Sequence, residues 1–387
     1  MKASYRLCIL LISFSNALFA QQISQPAVGA STPSAGPSTQ ANSAIVSHPI
    51  HLNVVVTDKS GKPQAGLQQQ DFTLLDNKTP QKILFFDAVN ELTSKADHPV
   101  EITLVIDTVN TPFDAVANER PLIAKFLRQN GGKLAYPTSL IVFSNSGLKV
   151  LGGPSFDGNA LSTSLENNNV IGLPSIHDAS GIAGASDLFQ LSIKGFDTLV
   201  RAKASVPGRK IIIWLSNGWP TLAGIESSMQ KKPKEDLFTS VVAASNTLRL
   251  AHITVYNVDP GAATGSRFGA PGGMSRTPNK FGYLSYVKGV TKPENVAPGD
   301  LALQVLATQT GGRVIINGND IASEIQSCVD DASAFYIISF ESSASEQPDQ
   351  YHGIELQVDK PGLTARTTTG YYSQPEQRPA ATEGKKE

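Results

Sequence analysis

Two corners of this sequence gather side chains with chemistry to offer. The apolar run Ile102-Thr103-Leu104-Val105-Ile106 ends in Asp107-Thr108-Val109-Asn110-Thr111, and Lys210-Ile211-Ile212-Ile213-Trp214-Leu215 ends in Ser216-Asn217-Gly218-Trp219. A carboxylate buried at a strand end is costly unless it is satisfied. Hydrogen bonding to Asn110, Thr111, Ser216 or Asn217 is one way to satisfy Asp107. Trp214 is expected in the core. Trp219, just past the end of its strand, is either packing or an aromatic for recognition. Phe268, Phe281, Tyr283 and Tyr286 form a second recognition candidate, in a stretch over 259–298 rich in Gly, Pro and Asn. A long irregular loop is uncommon unless it is mobile or functional.

Other chemistries find less support. The histidines, His48, His51, His98, His177, His252 and His352, show no zinc-type spacing and read as surface or hydrogen-bonded residues. There is no Gly-x-Ser-x-Gly elbow and no Gly-rich turn ending in Gly-Lys-Ser/Thr. Gly265-Ser266-Arg267-Phe268-Gly269 neither follows a strand closely nor opens a helix, and reads as loop. Asp178 with Asp187, or Asp330 with Asp331, would act as catalytic carboxylates only if the fold set them face to face. The second pair is expected to cap or decorate a helix end.

The elements that must position these residues follow from pattern. A chain of 387 residues fits one large or two modest domains, and 40% apolar with 17% charged residues is globular. A formal charge of -1, with no basic stripe and interleaved aromatics, argues against a nucleic-acid partner. Lys2, Arg6 and the apolar Leu7 to Phe19 predict a secretory signal over 1–20, cut after Ala20, and hence a secreted or periplasmic protein. No later segment has the length to span a membrane, so the mature chain is expected to lack a transmembrane span. Residues 21–47, without charge and dominated by Ala, Ser, Pro and Gln, predict a disordered linker. Cys328 alone would remain after cleavage, which excludes an intrachain disulfide and points to a buried helical thiol.

Short strands over 48–90 predict an N-terminal β segment. From residue 98 to 342 apolar runs alternate with helical patterns, predicting an α/β fold: a doubly wound, mostly parallel, Rossmann-like sheet with an irregular insertion over 259–298. Residues 350–373 predict a β hairpin, and 374–387 a disordered tail.

The Asp107 and Ser216-Asn217-Gly218 corners resemble those of the von Willebrand factor A family. More narrowly, the chain resembles exported bacterial proteins, well represented in Acidobacteria, that place a β segment before that domain. The matching residues are Asn53-Val54-Val55-Val56-Thr57-Asp58, Gly66-Leu67, Asp71-Phe72 and Pro80-Gln81-Lys82-Ile83 at one end. Tyr336-Ile337-Ile338, His352-Gly353, Lys360-Pro361-Gly362-Leu363 and Gly370-Tyr371-Tyr372 match at the other.

The resemblance implies a divalent-cation site, Mg²⁺ or Ca²⁺, built on a strand-end Asp-x-Ser-x-Ser motif, a Thr and a later Asp. Here Asp107 keeps the first position and Thr111 the last hydroxyl, with Asn110, Ser216 and Asn217 nearby. Val109 replaces a hydroxyl ligand, and Asn217 an acid. The second-loop Thr falls within Leu173 to Ser186, where His177 and Asp178 are the polar pair. A hard cation needs several oxygens at about 2.1 Å. The expected site is therefore either a weakened cation site or a metal-free one.

The resemblance implies a non-catalytic module for adhesion or scaffolding, binding an extracytoplasmic protein partner through the loops at the carboxyl ends of the strands. The alternatives are an exported hydrolase whose site assembles only in three dimensions, and an oligomer-forming component of the envelope.

Overall fold

Alternating apolar residues build the first strand, whose Ile50, Leu52, Val54 and Val56 are buried while Pro49 and His51 are exposed. The computed structural model describes residues 49–90, 99–168, 181–260, 281–316, 320–342 and 348–373. The expected signal, linker and tail therefore lie outside the described residues, as do His177, Asp178 and Phe268. In chain order the first strands are β1 (Pro49–Thr57), β2 (Phe72–Asp76), β3 (Thr79–Pro80) and β4 (Ile83–Asn90). There follow β5 (Val100–Asp107), α1 (Phe113–Leu127), β6 (Lys133–Ser144), β7 (Gly147–Asp157), α2 (Gly158–Glu166) and α3 (Gly181–Ala204). Next come β8 (Arg209–Leu215), α4 (Lys231–Leu250), β9 (Ile253–Val258), α5 (Leu303–Gln309), β10 (Val314–Ile315) and α6 (Ile321–Asp330). The chain closes with β11 (Ala334–Glu341), β12 (Tyr351–Val358), β13 (Thr364–Arg366) and β14 (Gly370–Tyr372).

The central sheet has six strands in the order β10-β9-β8-β5-β6-β7, parallel except for β7 at the edge. All eight residues of β5 are buried, as a strand covered on both faces requires. Ile102, Leu104, Ile106, Leu140, Val142, Ile211 and Ile213 pack with α1, α2 and α6 on one face. Val105, Ile141, Phe143, Ile212, Trp214 and Val255 pack with α3, α4 and α5 on the other. The chain runs from β5 outward to β7 and then returns to β8 on the opposite side. The strand order thus reverses between β5 and β8, where open α/β sheets bind their ligands.

The outer β segments do not form separate units. β11, expected within the α/β region, lies between β1 and β4, with Leu52 opposite Ile338 and Val54 opposite Tyr336. β12 pairs with β14 and also with β2 from the far end of the chain, while β13, just past the Lys360-Pro361-Gly362 turn, pairs with β1. The two four-stranded sheets share one core, in which Leu52, Val54, Phe72, Leu74, Tyr336, Ile338 and Tyr371 meet. Periodicity marks a strand but not its neighbour, so this closure of the two chain ends was not legible locally. β7 extends to Asp157, well past the short apolar stretch Leu148 to Leu151.

Asp331 joins the two layers of structure. Its Oδ2 accepts hydrogen bonds from the Arg366 guanidinium of β13 at 2.7 Å and the Tyr256 hydroxyl of β9 at 2.8 Å, with Arg313 Nε at 3.7 Å. Arg209 donates to the Asp331 main-chain oxygen at 2.8 Å and lies 4.6 Å over the Phe335 ring. Cys328 is fully buried in α6, and burial pushes its thiol up to about 12. Among the described residues no helix is long and apolar enough to cross a membrane.

Candidate functional site

Asp107 ends β5 at the point of strand reversal, beside the end of β8, since Ile106 pairs with Leu215. The chain turns there because the Asp107 carboxylate gathers the main chain that follows it. Its Oδ1 accepts from the main-chain N–H groups of Val109 and Asn110, each at 2.9 Å. Its Oδ2 accepts from Asn110 Nδ2 at 2.9 Å, Trp214 Nε1 at 2.8 Å and Trp219 Nε1 at 3.3 Å. Burial pushes this carboxyl up, and the bonds from Asn110, Trp214 and Val109 pull it back down. Indole N–H is a donor only, so both tryptophans serve the carboxylate as neutral, fixed dipoles.

The aromatic side chains around this carboxylate form a cluster. Trp219 is 0% exposed. Its ring meets Trp214 edge-on at 5.3 Å and Phe196 at 5.5 Å between centroids. As a candidate recognition aromatic Trp219 is therefore corrected: it is core, with no surface to offer a partner. Gly218 turns the chain back over the strand end at φ +95°. A Cβ there would displace the Gln304 amide, and the left-handed φ is what calls for glycine.

The other expected side chains are distributed unevenly. Of the four groups expected to satisfy Asp107, only Asn110 does so. Its amide also donates to Ser192 Oγ at 2.8 Å. Ser216 instead accepts from Gly218 N at 3.2 Å through its hydroxyl and from Asn257 Nδ2 at 2.8 Å through its carbonyl. Thr111 Oγ1, Asn110 Oδ1 and Asn217 Oδ1 are buried without a hydrogen-bond partner. Phe281 is 60% exposed, and Leu284, which sequence reasoning did not single out, is 52% exposed. Tyr283 and Tyr286 are half-buried, and burial pushes both hydroxyls up. Tyr286 packs against Gly299.

One acid was missed. Glu119 of α1 is 2% exposed, and neither carboxylate oxygen has a hydrogen-bond partner. Burial, with Asp107 and Asp259 nearby, holds its carboxyl well above the ordinary range. The signal was present, because Val116, Glu119 and Ile123 lie on one helical stripe.

A divalent cation at Asp107 would need a free lone pair and more oxygens at about 2.1 Å. Five N–H groups instead point at the carboxylate, and as arranged the corner does not fit a hard cation. No group of three or more His, Cys, Asp and Glu among the described residues is placed to hold a metal ion.

No protein-family model matches the chain, and no curated protein matches it. Among solved structures it is similar to the TFIIH p34 N-terminal domain, at 14% identity and a TM-score of 0.21, over 43% of this chain and 83% of that one. A likeness of that size carries no argument about fold or function.

Proposed function

We propose that the chain is an exported, non-catalytic protein-binding module of von Willebrand factor A type, acting through the loops at the carboxyl ends of the central strands. The N-terminal sequence supports export. One observation carries the binding reading: the crevice at the strand reversal is filled by Trp219, while Phe281 and Leu284 stand exposed on the loop that follows β9. Exposed large apolar side chains, with the strand-end crevice filled, suit a protein surface better than a small substrate.

The hydrolase alternative has one feature in its favour. Asp300, beside Glu226 in the same loops, is pushed up by burial to about 7. Its Oδ2 already accepts from Ala297 N at 2.7 Å, within a short 3-10 turn. A cavity of about 180 Å³ lies elsewhere, between Phe126, Lys133, Tyr136 and Val329 near the start of β6.

Site-specific photo-crosslinking in the producing cell tests the proposal, with the crosslinker at Leu284 and, as control, at Val150 on β7. A protein adduct at Leu284 that is absent at Val150 is expected. Equal adducts, or none, would overturn the proposal.

A further inference from the structure

We infer that the cavity at the amino end of β6 is a binding site for a small apolar monocarboxylate, an acid about the size of one aromatic ring. It lies at the opposite end of the central sheet from the loops of the proposed partner surface, and it does not rest on that reading.

The chain shapes this cavity by departing from regular geometry on two sides. After α1 the main chain swings out through Asn130, Gly131 and Gly132, whose φ angles of +52°, +70° and +84° are all left-handed. Glycine adopts that region at no steric cost, and asparagine tolerates it. β6 then begins at Lys133 but meets β5 only from Thr138, which lies opposite Ile102. Its register with β7 also breaks between Lys133 and Thr138. Leu134 to Pro137 therefore have no ladder partner on either side, and irregularities of this kind re-aim side chains.

The resulting space, about 180 Å³, lies between the last turn of α1, this stretch of β6 and α6. A cavity of about 150 Å³ takes a benzene ring. The floor is apolar, made by the buried Phe126, Leu134, Tyr136 and Val329. Among the described residues Lys133 is the only charged side chain that lines the cavity, and Gln129 and Asn130 add amides. The acids that border this stretch are engaged elsewhere. Asp157, opposite Lys133 in the register, accepts from Ala160 N at 2.9 Å. Asp330 accepts from Gln326 Nε2 at 2.7 Å. Lys133 makes no ion pair among the described residues.

An apolar body with one negative end answers both parts of this lining, the ring on the floor and the carboxylate toward the ammonium. A neutral ligand would leave Lys133 without a counter-charge. A second carboxylate would have to sit on the apolar floor, where an unpaired charge is costly.

Benzoate is the probe, with benzamide as its uncharged counterpart. Each is titrated into the full chain while the methyl signals of Leu134 and Val329 are followed by nuclear magnetic resonance. Saturable shifts of both residues at millimolar benzoate are expected, with benzamide binding about fivefold more weakly. Lys133→Gln should erase that preference, and Ala135→Phe, which sets a ring in the lining, should abolish binding. Lys133 and Ala135 are both exposed, so neither change endangers the fold. Equal affinity for benzoate and benzamide would overturn the inference. So would wild-type binding by A135F, or the absence of saturable shifts at millimolar benzoate.

Discussion

Asp107 at the end of β5 and Asp331 between α6 and β11 are both 0% exposed, yet they are satisfied by different means. Asp331 is held by charge: Arg366 donates to it, Arg313 lies close, and Tyr256 adds a hydroxyl. Asp107 is held by dipoles alone, two main-chain N–H groups, one amide and two indoles. The first arrangement ties distant parts of the chain together. Its donors come from β9 and β13, with the Arg313 guanidinium close by, so one carboxylate secures the terminal β layer to the central sheet. The second arrangement closes a place where such sheets are ordinarily open. Buried charge is tolerable in either case because both Asp107 oxygens and Asp331 Oδ2 meet the positive ends of bonds, while Asp331 Oδ1 is buried without a partner.

The largest expected effect tests the charged corner. Asp331→Ala should cost about 3 kcal/mol, because it leaves two half-buried guanidinium groups without a counter-charge. Urea unfolding of the full chain measures it. A loss below about 1 kcal/mol would mean that solvent or the main chain satisfies Arg366 and Arg313 without Asp331.

Asp107→Asn should cost less, about 1–3 kcal/mol, since an amide presents one acceptor oxygen to five donors and sets its own N–H against some of them. The same unfolding series measures it. A cost equal to that of Asp331→Ala would erase the contrast between dipolar and ionic burial.

The smallest effect sharpens the comparison with a third acid, which has neither kind of partner. Glu119→Gln should stabilise the chain at neutral pH by about 1 kcal/mol. The sign follows from the raised folded-state pKa. The folded protein holds this proton more tightly than the unfolded one. That stability is complete below the ordinary value of 4.5 and is lost as pH rises through the folded value. Thermal unfolding midpoints of wild type and E119Q should therefore converge in acid and separate as pH rises. Parallel curves would show that the fold does not hold Glu119 protonated.

Much of the sheet was readable in advance. Lys210 to Leu215 and Ile102 to Ile106 are unbroken or nearly unbroken apolar runs, and a run covered on both faces leaves that imprint wherever it sits. α6 and α1 were readable from their stripes. β7 was readable only over Leu148 to Leu151, because an edge strand faces water and Gly152-Gly153-Pro154 reads as a turn. At the site, Asp107 was visible as a residue that needed a partner, and Asn110 was one of four weighed beside Thr111, Ser216 and Asn217. Trp214 was read as core and Trp219 was weighed as packing or recognition, while their N–H groups went unconsidered as the donors Asp107 required. Glu119 was passed over as a helix residue, although an acid on an apolar stripe marks a buried charge.

The amino-acid sequence by itself determined the strands, the helices and the presence of a carboxylate at a strand end, because those depend on neighbours within a few positions. Only the tertiary structure decided that β11 would sit between β1 and β4, and that Asp107 would be answered by indoles 107 and 112 residues away. Periodicity is a local property, imposed by the geometry of one helix or one strand. The pairing of strands and the convergence of donors on one oxygen are set by which surfaces meet, and no short stretch of chain carries that information.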